Sequence, residues 1–148
     1  MAALFAGVEL QKKDGSKAVG EVALKDKIVG IYFSAHWCGP CRHFTPVLKD
    51  FYDALIKNGA EFEIVFVSSD GSEDDLKKYM EESHGNWYFL PFDSEENQRL
   101  SDKFEVDGIP TLVVVKSNGD VISTDARANV DDAGDKTPAQ VFQQWKSA

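Results

Sequence analysis

Two short apolar runs, separated by a segment with helical periodicity, limit the folds that this chain can adopt. The runs cover residues 28–33 and 62–67 and are rich in branched and aromatic side chains, a pattern typical of strands buried on both faces. Between them, apolar residues recur at helical spacing from Phe44 to Leu55, which predicts a helix that ends near Lys57. Two strands joined by one helix are expected to be parallel neighbours in a single sheet.

The other segments add strands and helices to this unit. Asp14-Gly15 predicts a tight turn and, with it, a hairpin within residues 8–24, with a short strand and a polar loop as the alternative. A second hairpin is predicted over residues 111–122, and residues 87–92 are expected to form a short edge strand or an extended packing segment. Further helices are predicted to follow the capping residues Ser72, Ser94 and Thr137.

These elements predict an α/β fold with a central mixed β-sheet, helices on both faces and an N-terminal hairpin extension. No internal repeat or linker divides the chain, so residues 1–148 are predicted to form a single domain. Pro46 lies inside the first long helix and is expected to kink it without ending it, because the apolar pattern continues beyond the proline.

The net charge of -9 argues against two classes of partner. Nucleic acids and anionic membranes are bound through basic faces, and the sequence contains no cluster of Lys and Arg that would form one. It also lacks an apolar run of about 18 residues, the length of a membrane span, and a basic segment at its start. It is therefore predicted to be cytoplasmic, with the nucleus as the alternative compartment; for the oligomeric state, a monomer is the default expectation.

The only two cysteines, Cys38 and Cys41, lie where the first buried strand gives way to the helix. A redox pair, half of a metal site and two structural cysteines are the three interpretations. A zinc site needs two further ligands, and although His36 and His43 flank the pair, no second Cys-x-x-Cys or His-x-x-x-His is present. Metal binding is thus disfavoured, and both histidines are expected to be partly exposed polar residues.

The position of the cysteines favours redox chemistry. The sulfur of Cys38 would face the unpaired N–H groups of a helix start, which predicts that its pKa falls below the free value of about 8.5, toward about 7. Cys41 follows one turn later on the same face, close to the spacing that a disulfide requires. Gly39 allows a tight turn, and Pro40 fits the first helical turn, where its missing N–H costs nothing.

Three features together resemble the thioredoxin superfamily. They are the motif Trp37-Cys-Gly-Pro-Cys41 at a strand-to-helix junction, a proline inside the following helix, and the segment Gly108-Ile-Pro-Thr111 before a late strand. The resemblance covers nearly the whole chain. Five further segments resemble, more narrowly, the tryparedoxin and nucleoredoxin branch. They are Phe33-Ser-Ala, Phe44-Thr-Pro46, Val67-Ser-Ser-Asp70, Leu90-Pro-Phe-Asp93 and Ala126-Arg127.

This resemblance implies a thioredoxin-like fold and a dithiol–disulfide oxidoreductase that reduces protein disulfides. It implies that Cys38 is the attacking thiol, that Cys41 is the resolving thiol, and that Pro110 is a cis-proline beside them. It also implies that the backbone of Ile109 pairs with an extended substrate segment and that Trp37 borders the docking surface.

The same resemblance indicates the partners. Peroxidases of the peroxiredoxin type are the suggested clients, and an external dithiol or flavoenzyme is needed as reductant, because the sequence has no dinucleotide-binding fingerprint. No cofactor is expected beyond the Cys38–Cys41 pair itself. Arg127 is a candidate contact for an anionic substrate, although a surface salt bridge is the default expectation for it.

Two other functions remain open from the sequence. One is a redox-sensitive binding module of the nucleoredoxin type, in which Cys38 controls docking to a signalling partner. The other is an oxidase or isomerase of a secretory compartment, which the missing signal segment disfavours.

The sequence departs from its relatives at three positions. Tyr32 occupies the place of the buried aspartate of thioredoxins, so the usual proton acceptor for Cys41 is absent, and Tyr32 is expected in the core with a partner for its hydroxyl. Gly39 replaces a proline that is common in tryparedoxins and nucleoredoxins. Ser69 replaces a tryptophan of tryparedoxins and so favours the nucleoredoxin type. Away from this region, His84 is predicted to lie in a loop.

Overall fold

The computed structural model of the protein describes residues 2–131 and 136–148. Its strands are β1 (Glu9–Gln11), β2 (Lys17–Val19), β3 (Ile28–Ser34), β4 (Phe62–Ser68), β5 (Tyr88–Phe89), β6 (Thr111–Val115) and β7 (Val121–Ser123). Its helices are α1 (Ala2–Phe5), α2 (Gly20–Ala23), α3 (Gly39–Lys57), α4 (Glu73–Ser83), α5 (Glu95–Lys103), α6 (Ala126–Asp131) and α7 (Pro138–Lys146). None of the described helices is long and apolar enough to cross a membrane.

The strands form one mixed sheet in the order β2-β1-β5-β4-β3-β6-β7. The parallel pairing of β3 with β4 across α3 is confirmed, with Tyr32 opposite Phe66. The closing hairpin β6–β7 is antiparallel and joins the sheet through β6, which pairs with the other side of β3. Strand β3 is therefore central, and its last residue leads directly toward the cysteines.

Both faces of the sheet are covered, which explains why the central strands have continuous apolar sequences. Side chains of β3 alternate between two cores. Tyr32 packs on one face with residues of α3, α4, α6 and α7. Ile31 and Phe33 pack on the other face, where the partners include Phe5 of α1 and Leu100 of α5. The predicted arrangement of helices on both sides of a mixed sheet is confirmed.

The N-terminal hairpin is present, and it pairs with β5, so that β5 does not lie at the edge of the sheet. Strands β1 and β2 pair antiparallel around a turn in which Gly15 has a φ of 92°, a conformation that glycine adopts without strain. Gln11 of β1 then pairs with Phe89 of β5. The prediction of an edge strand at 87–92 was thus wrong, because the hairpin docks beside β5 and makes it an internal strand.

The helix starts follow the capping residues. The side-chain oxygens of Ser72, Ser94 and Thr137 accept backbone N–H groups of the first turns of α4, α5 and α7. Helix α3 begins immediately after Cys38 and continues through Pro46 to Lys57, as the apolar pattern predicts. The short helices α1, α2 and α6 were not predicted, since each has too few residues for a periodic pattern.

His84 follows α4 in a loop, as predicted, but its side chain is fully enclosed, which the sequence did not indicate. Its Nδ1 accepts a hydrogen bond from Trp87 Nε1 at 3.0 Å, and its ring meets the Tyr79 ring edge-on with centroids 4.3 Å apart. Burial lowers the pKa of His84 well below its ordinary value, and the nearby charge of Lys13 acts in the same direction. The folded protein therefore keeps this imidazole neutral.

This buried imidazole predicts a loss of stability in acid. The unfolded chain protonates His84 near pH 6.5 and the folded chain does not, so its contribution is complete above that pH and falls by about 1.4 kcal/mol per pH unit below it. His84→Asn keeps an acceptor toward Trp87 but does not titrate. Denaturant unfolding at pH 7 and pH 5 should therefore show a smaller loss for His84→Asn than for the parent.

Comparing the two proteins isolates the histidine. The buried carboxyl of Glu63 has a pKa raised by burial, so it favours folding at lower pH, but it is present in both chains. Equal losses of stability in the parent and in His84→Asn would contradict the assignment of this dependence to His84.

Candidate functional site

Cys38 lies at the junction of the central strand and the long helix, where the sequence predicted it. It is the N-cap residue of α3, and its Sγ accepts the backbone N–H of Cys41 at 3.3 Å. The same sulfur lies 3.9 Å from the carbonyl oxygen of Ile109. The residue is largely buried, with 7% of its surface exposed, and its sulfur lies at the start of the helix beside N–H groups that stabilise negative charge.

Cys41 lies one turn further into α3 and is fully buried. Burial, with a smaller contribution from the Cys38 sulfur, raises the pKa of its thiol to about 11, even though the Ser34 hydroxyl and the Ala35 backbone amide act in the opposite direction. The two cysteines are free thiols that differ in environment. The buried thiol is protonated at neutral pH, while the outer one can meet a macromolecule.

The loop before Cys38 is fixed by hydrogen bonds from β4 and the residues after it. Trp37 is 64% exposed, and its indole Nε1 donates to the carbonyl of Ser69 at 3.1 Å. The backbone N–H of His36 donates to Asp70 Oδ1 at 2.7 Å, and the hydroxyl of Ser68 donates to the other oxygen of the same carboxylate at 2.7 Å. Asp70 therefore holds the loop, a role that sequence reasoning did not assign.

The loop that faces the cysteines contains the proline named from the resemblance. The Ile109–Pro110 peptide bond is cis, as expected. Pro110 is buried, whereas Ile109 is half-buried and packs against the two cysteines. Trp37 thus precedes Cys38 in the chain, and the backbone of Ile109 lies next to its sulfur.

Arg127 borders a groove that begins at Gly39 and Pro40, the two residues that separate the cysteines in the sequence. The groove has a volume of about 650 Å³ and is lined by Gly39, Pro40, His43, Phe44, Val47, Arg127 and Asp131. The guanidinium lies 5.8 Å from the centroid of the Phe44 ring. Arg127 makes no ion pair with any residue in 2–131 or 136–148, so the predicted surface salt bridge is not formed within that part of the chain.

The flanking histidines do not assemble a metal site. His36 Nε2 lies 3.1 Å from a carboxylate oxygen of Glu82, and His43 is exposed on α3. Among the residues that the structure describes, no group of three His, Cys, Asp or Glu side chains is placed to hold a metal ion.

A chain of buried hydroxyls lies beneath Cys41, and sequence reasoning found only one member of it. Tyr32 is buried, as predicted, and its hydroxyl is 2.6 Å from Thr45 Oγ1. The hydroxyl of Tyr79 is 2.5 Å from the same Thr45 oxygen and 2.6 Å from Ser34 Oγ. The available signal was Thr45, a polar residue four positions after Cys41 within the apolar stripe of the helix.

Comparisons with known proteins show which family has a sequence and a structure similar to this chain. Residues 26–121 match the family described as Thioredoxin-like. Nucleoredoxin of Mus musculus is 40% identical over 119 residues, which are 80% of this chain and 27% of that protein. The chain therefore spans only about a quarter of the length of the curated relatives it matches.

Solved structures are similar over almost the whole chain. Thioredoxin from Wuchereria bancrofti has a TM-score of 0.81 and 49% identity, covering 97% of this chain and 96% of that one. Native tryparedoxin I from Crithidia fasciculata has a TM-score of 0.78 and 40% identity, covering 93% of this chain and 95% of that one. The likeness therefore extends well beyond the cysteine motif.

The unequal environments of the two thiols predict selective alkylation. At a pH of about 7.5, a thiol with a raised pKa stays protonated and reacts slowly. Iodoacetamide should therefore label Cys38 in the reduced folded protein and leave Cys41 unmodified. Peptide mass spectrometry after timed quenching measures both sites, and labelling in denaturant provides the control in which both react. Equal labelling rates in the folded protein would show that Cys41 is neither protected nor protonated there.

Proposed function

This chain belongs to the thioredoxin-like oxidoreductase family, in its tryparedoxin and nucleoredoxin branch, and we propose that it reduces disulfide bonds of client proteins. The observation that supports this best is the 3.3 Å contact between the Cys41 N–H and the Cys38 sulfur at the start of α3. It gives the Cys38 sulfur a hydrogen-bond donor, with a second thiol one turn away.

In the first step, the Cys38 thiolate attacks one sulfur of the client disulfide. A bond forms between Cys38 and that sulfur, the client S–S bond breaks, and the departing client thiolate takes up a proton. The helix N-terminus stabilises the attacking thiolate. Cys41 does not compete for the client, because it is buried and protonated.

In the second step, Cys41 attacks Cys38 and releases the client. The new Cys38–Cys41 bond replaces the mixed disulfide, so the client has gained two electrons and two protons while this protein is oxidised. An external dithiol or a flavoenzyme then returns the pair to its reduced form. Cys38 is thus the attacking thiol and Cys41 the resolving thiol in this proposal.

Three features beside Cys38 would hold the client. The exposed Trp37 borders the docking surface, and the backbone of Ile109, next to the Cys38 sulfur, pairs with an extended client segment. The groove that ends at Arg127 takes an anionic group next to the client disulfide. From the resemblance to tryparedoxins, we extend the proposal to peroxidases of the peroxiredoxin type as clients and to a cytoplasmic or nuclear location.

Trapping tests the order of the two thiols. Cys41→Ser should accumulate mixed disulfides with client proteins, because the resolving sulfur is missing, whereas Cys38→Ser should trap none above background. Non-reducing electrophoresis with mass spectrometry measures both variants. Equal trapping by the two variants would overturn the assignment of roles.

Turnover separates the reductase from a redox-sensitive binding module of the nucleoredoxin type. With dithiothreitol as reductant, the parent should reduce insulin disulfides catalytically, and Cys38→Ser should not. A parent that forms a stable non-covalent complex with its partner but shows no turnover would favour the binding module instead.

Arg127 predicts a preference for anionic disulfides. Arg127→Gln should lower kcat/KM for glutathione disulfide, which carries carboxylates, by about tenfold, as loss of one charge-assisted contact implies. Neutral 2-hydroxyethyl disulfide should be reduced almost as before. Arg42→Gln is the matched control, since Arg42 is exposed on α3, the helix that follows Cys38, but does not line the groove. A similar loss with both disulfides, or in both variants, would contradict a contact specific to Arg127.

A further inference from the structure

The groove that Arg127 borders also has an apolar lining, formed by Pro40, Phe44 and Val47 of α3. Val47 belongs to the apolar pattern that predicts this helix, yet 39% of its surface is exposed, whereas Phe44, one turn before it, is buried. A valine in such a pattern is expected in the core. Its position in the groove therefore presents an aliphatic surface to whatever occupies this part of the site.

Arg127 reaches the same lining with its charge available. Its guanidinium lies 5.8 Å from the centroid of the Phe44 ring, a cation–π distance, and it forms no ion pair within the part of the chain that the structure describes. Asp131 lines the same groove, so an acidic group of a ligand meets an attractive and a repulsive charge together. The apolar lining has no such opposition, and it can therefore discriminate more strongly among ligands.

The groove is continuous with the reacting residue. Gly39, which is bonded directly to Cys38, lines the groove together with Pro40, and consecutive Cα atoms are about 3.8 Å apart. A client joined to Cys38 through its own cysteine can therefore place the neighbouring residues of its chain in this groove. This continuity favours a segment of the client as the occupant, rather than a separate small ligand.

The length of the groove along α3 indicates how many client residues it takes. Val47 follows Pro40 by seven residues in the helix, and a helix rises about 1.5 Å per residue, so the two lie about 10 Å apart along the axis. An extended segment covers about 3.3 Å per residue, and about three residues therefore span that distance. A client side chain about three positions from the reacting cysteine is thus expected at Val47.

Resting on the proposed function, we propose that this groove binds the client segment next to the reacting cysteine and that Val47 is a specificity-determining residue, which selects an aliphatic side chain about three positions from that cysteine. The selected side chain loses water against Pro40, Phe44 and Val47, and burial of apolar surface favours the complex. The favoured substrates are then protein disulfides flanked by an aliphatic residue, rather than disulfides flanked only by polar residues.

Two symmetric peptide disulfides test this selection. One peptide has leucine three positions before and three positions after its cysteine, and the other has serine at both places. With dithiothreitol as reductant, and after subtraction of the uncatalysed rate, the parent should show a kcat/KM about tenfold higher for the leucine peptide. Partial burial of a leucine side chain accounts for a factor of about that size.

Three variants show whether Val47 causes the preference. Val47→Ser should remove most of it, and Val47→Ile, which keeps an aliphatic side chain, should retain it. Ile56→Ser is the matched control, since Ile56 is 42% exposed on α3 but does not line the groove. The ratio of the two kcat/KM values is the measured quantity, because general damage to the protein lowers both values and leaves their ratio unchanged.

The outcomes separate the groove from the reductase. Equal kcat/KM for the two peptides in the parent, or a preference that survives in Val47→Ser, would overturn the role of Val47, and so would equal losses of preference in Val47→Ser and Ile56→Ser. Reduction of 2-hydroxyethyl disulfide by the parent would then leave the proposed reductase in place. A parent that reduces none of these disulfides contradicts the reductase itself.

A covalent adduct tests the groove without turnover. Cys41→Ser is joined through Cys38 to each peptide, whose cysteine is activated for disulfide exchange, and the peptide is thereby held beside the groove at a high effective concentration. Methyl-labelled protein should show nuclear Overhauser contacts between the peptide leucine and Val47, and none between that leucine and Ile56. The serine peptide should leave the Val47 methyl shifts close to those of the free protein. An adduct of the leucine peptide without contacts at Val47 would contradict the inference, whatever the turnover rates are.

Discussion

The hydrogen bond from the Cys41 N–H to the Cys38 sulfur is the contact on which the site depends. It exists because a strand buried on both faces ends one turn before a helix begins, leaving the first N–H groups of α3 without partners inside the helix. The sheet therefore places the sulfur, and the helix supplies the donor. Asp70 and Ser69 complete the arrangement by holding the loop between the two elements.

The two thiols differ because the helix carries them to different depths. Cys38 keeps 7% of its surface exposed next to the exposed Trp37, whereas Cys41 is fully buried. This difference suits sequential chemistry, because the outer sulfur can react with a macromolecule while the inner one waits protonated.

Local sequence signals predicted much of this fold, and long-range packing accounts for what they missed. The central strands, α3 and the caps each follow from a pattern within about 20 residues, a range over which periodicity and capping act. The internal position of β5 depends on one pairing, between Gln11 and Phe89, and these residues are 78 positions apart in the sequence. The burial of His84 and the hydroxyl chain, assembled from β3, α3 and α4, likewise depend on how distant elements meet.

The most direct test of the central claim is the equilibrium of the protein with glutathione redox buffers, followed by mass spectrometry of acid-quenched samples. The account predicts one two-electron transition to an intramolecular Cys38–Cys41 disulfide, with a potential in the glutaredoxin range of about -200 to -230 mV or below. Accumulation of glutathione adducts without that disulfide, or a potential near the value of about -180 mV typical of protein disulfide isomerase, would contradict it.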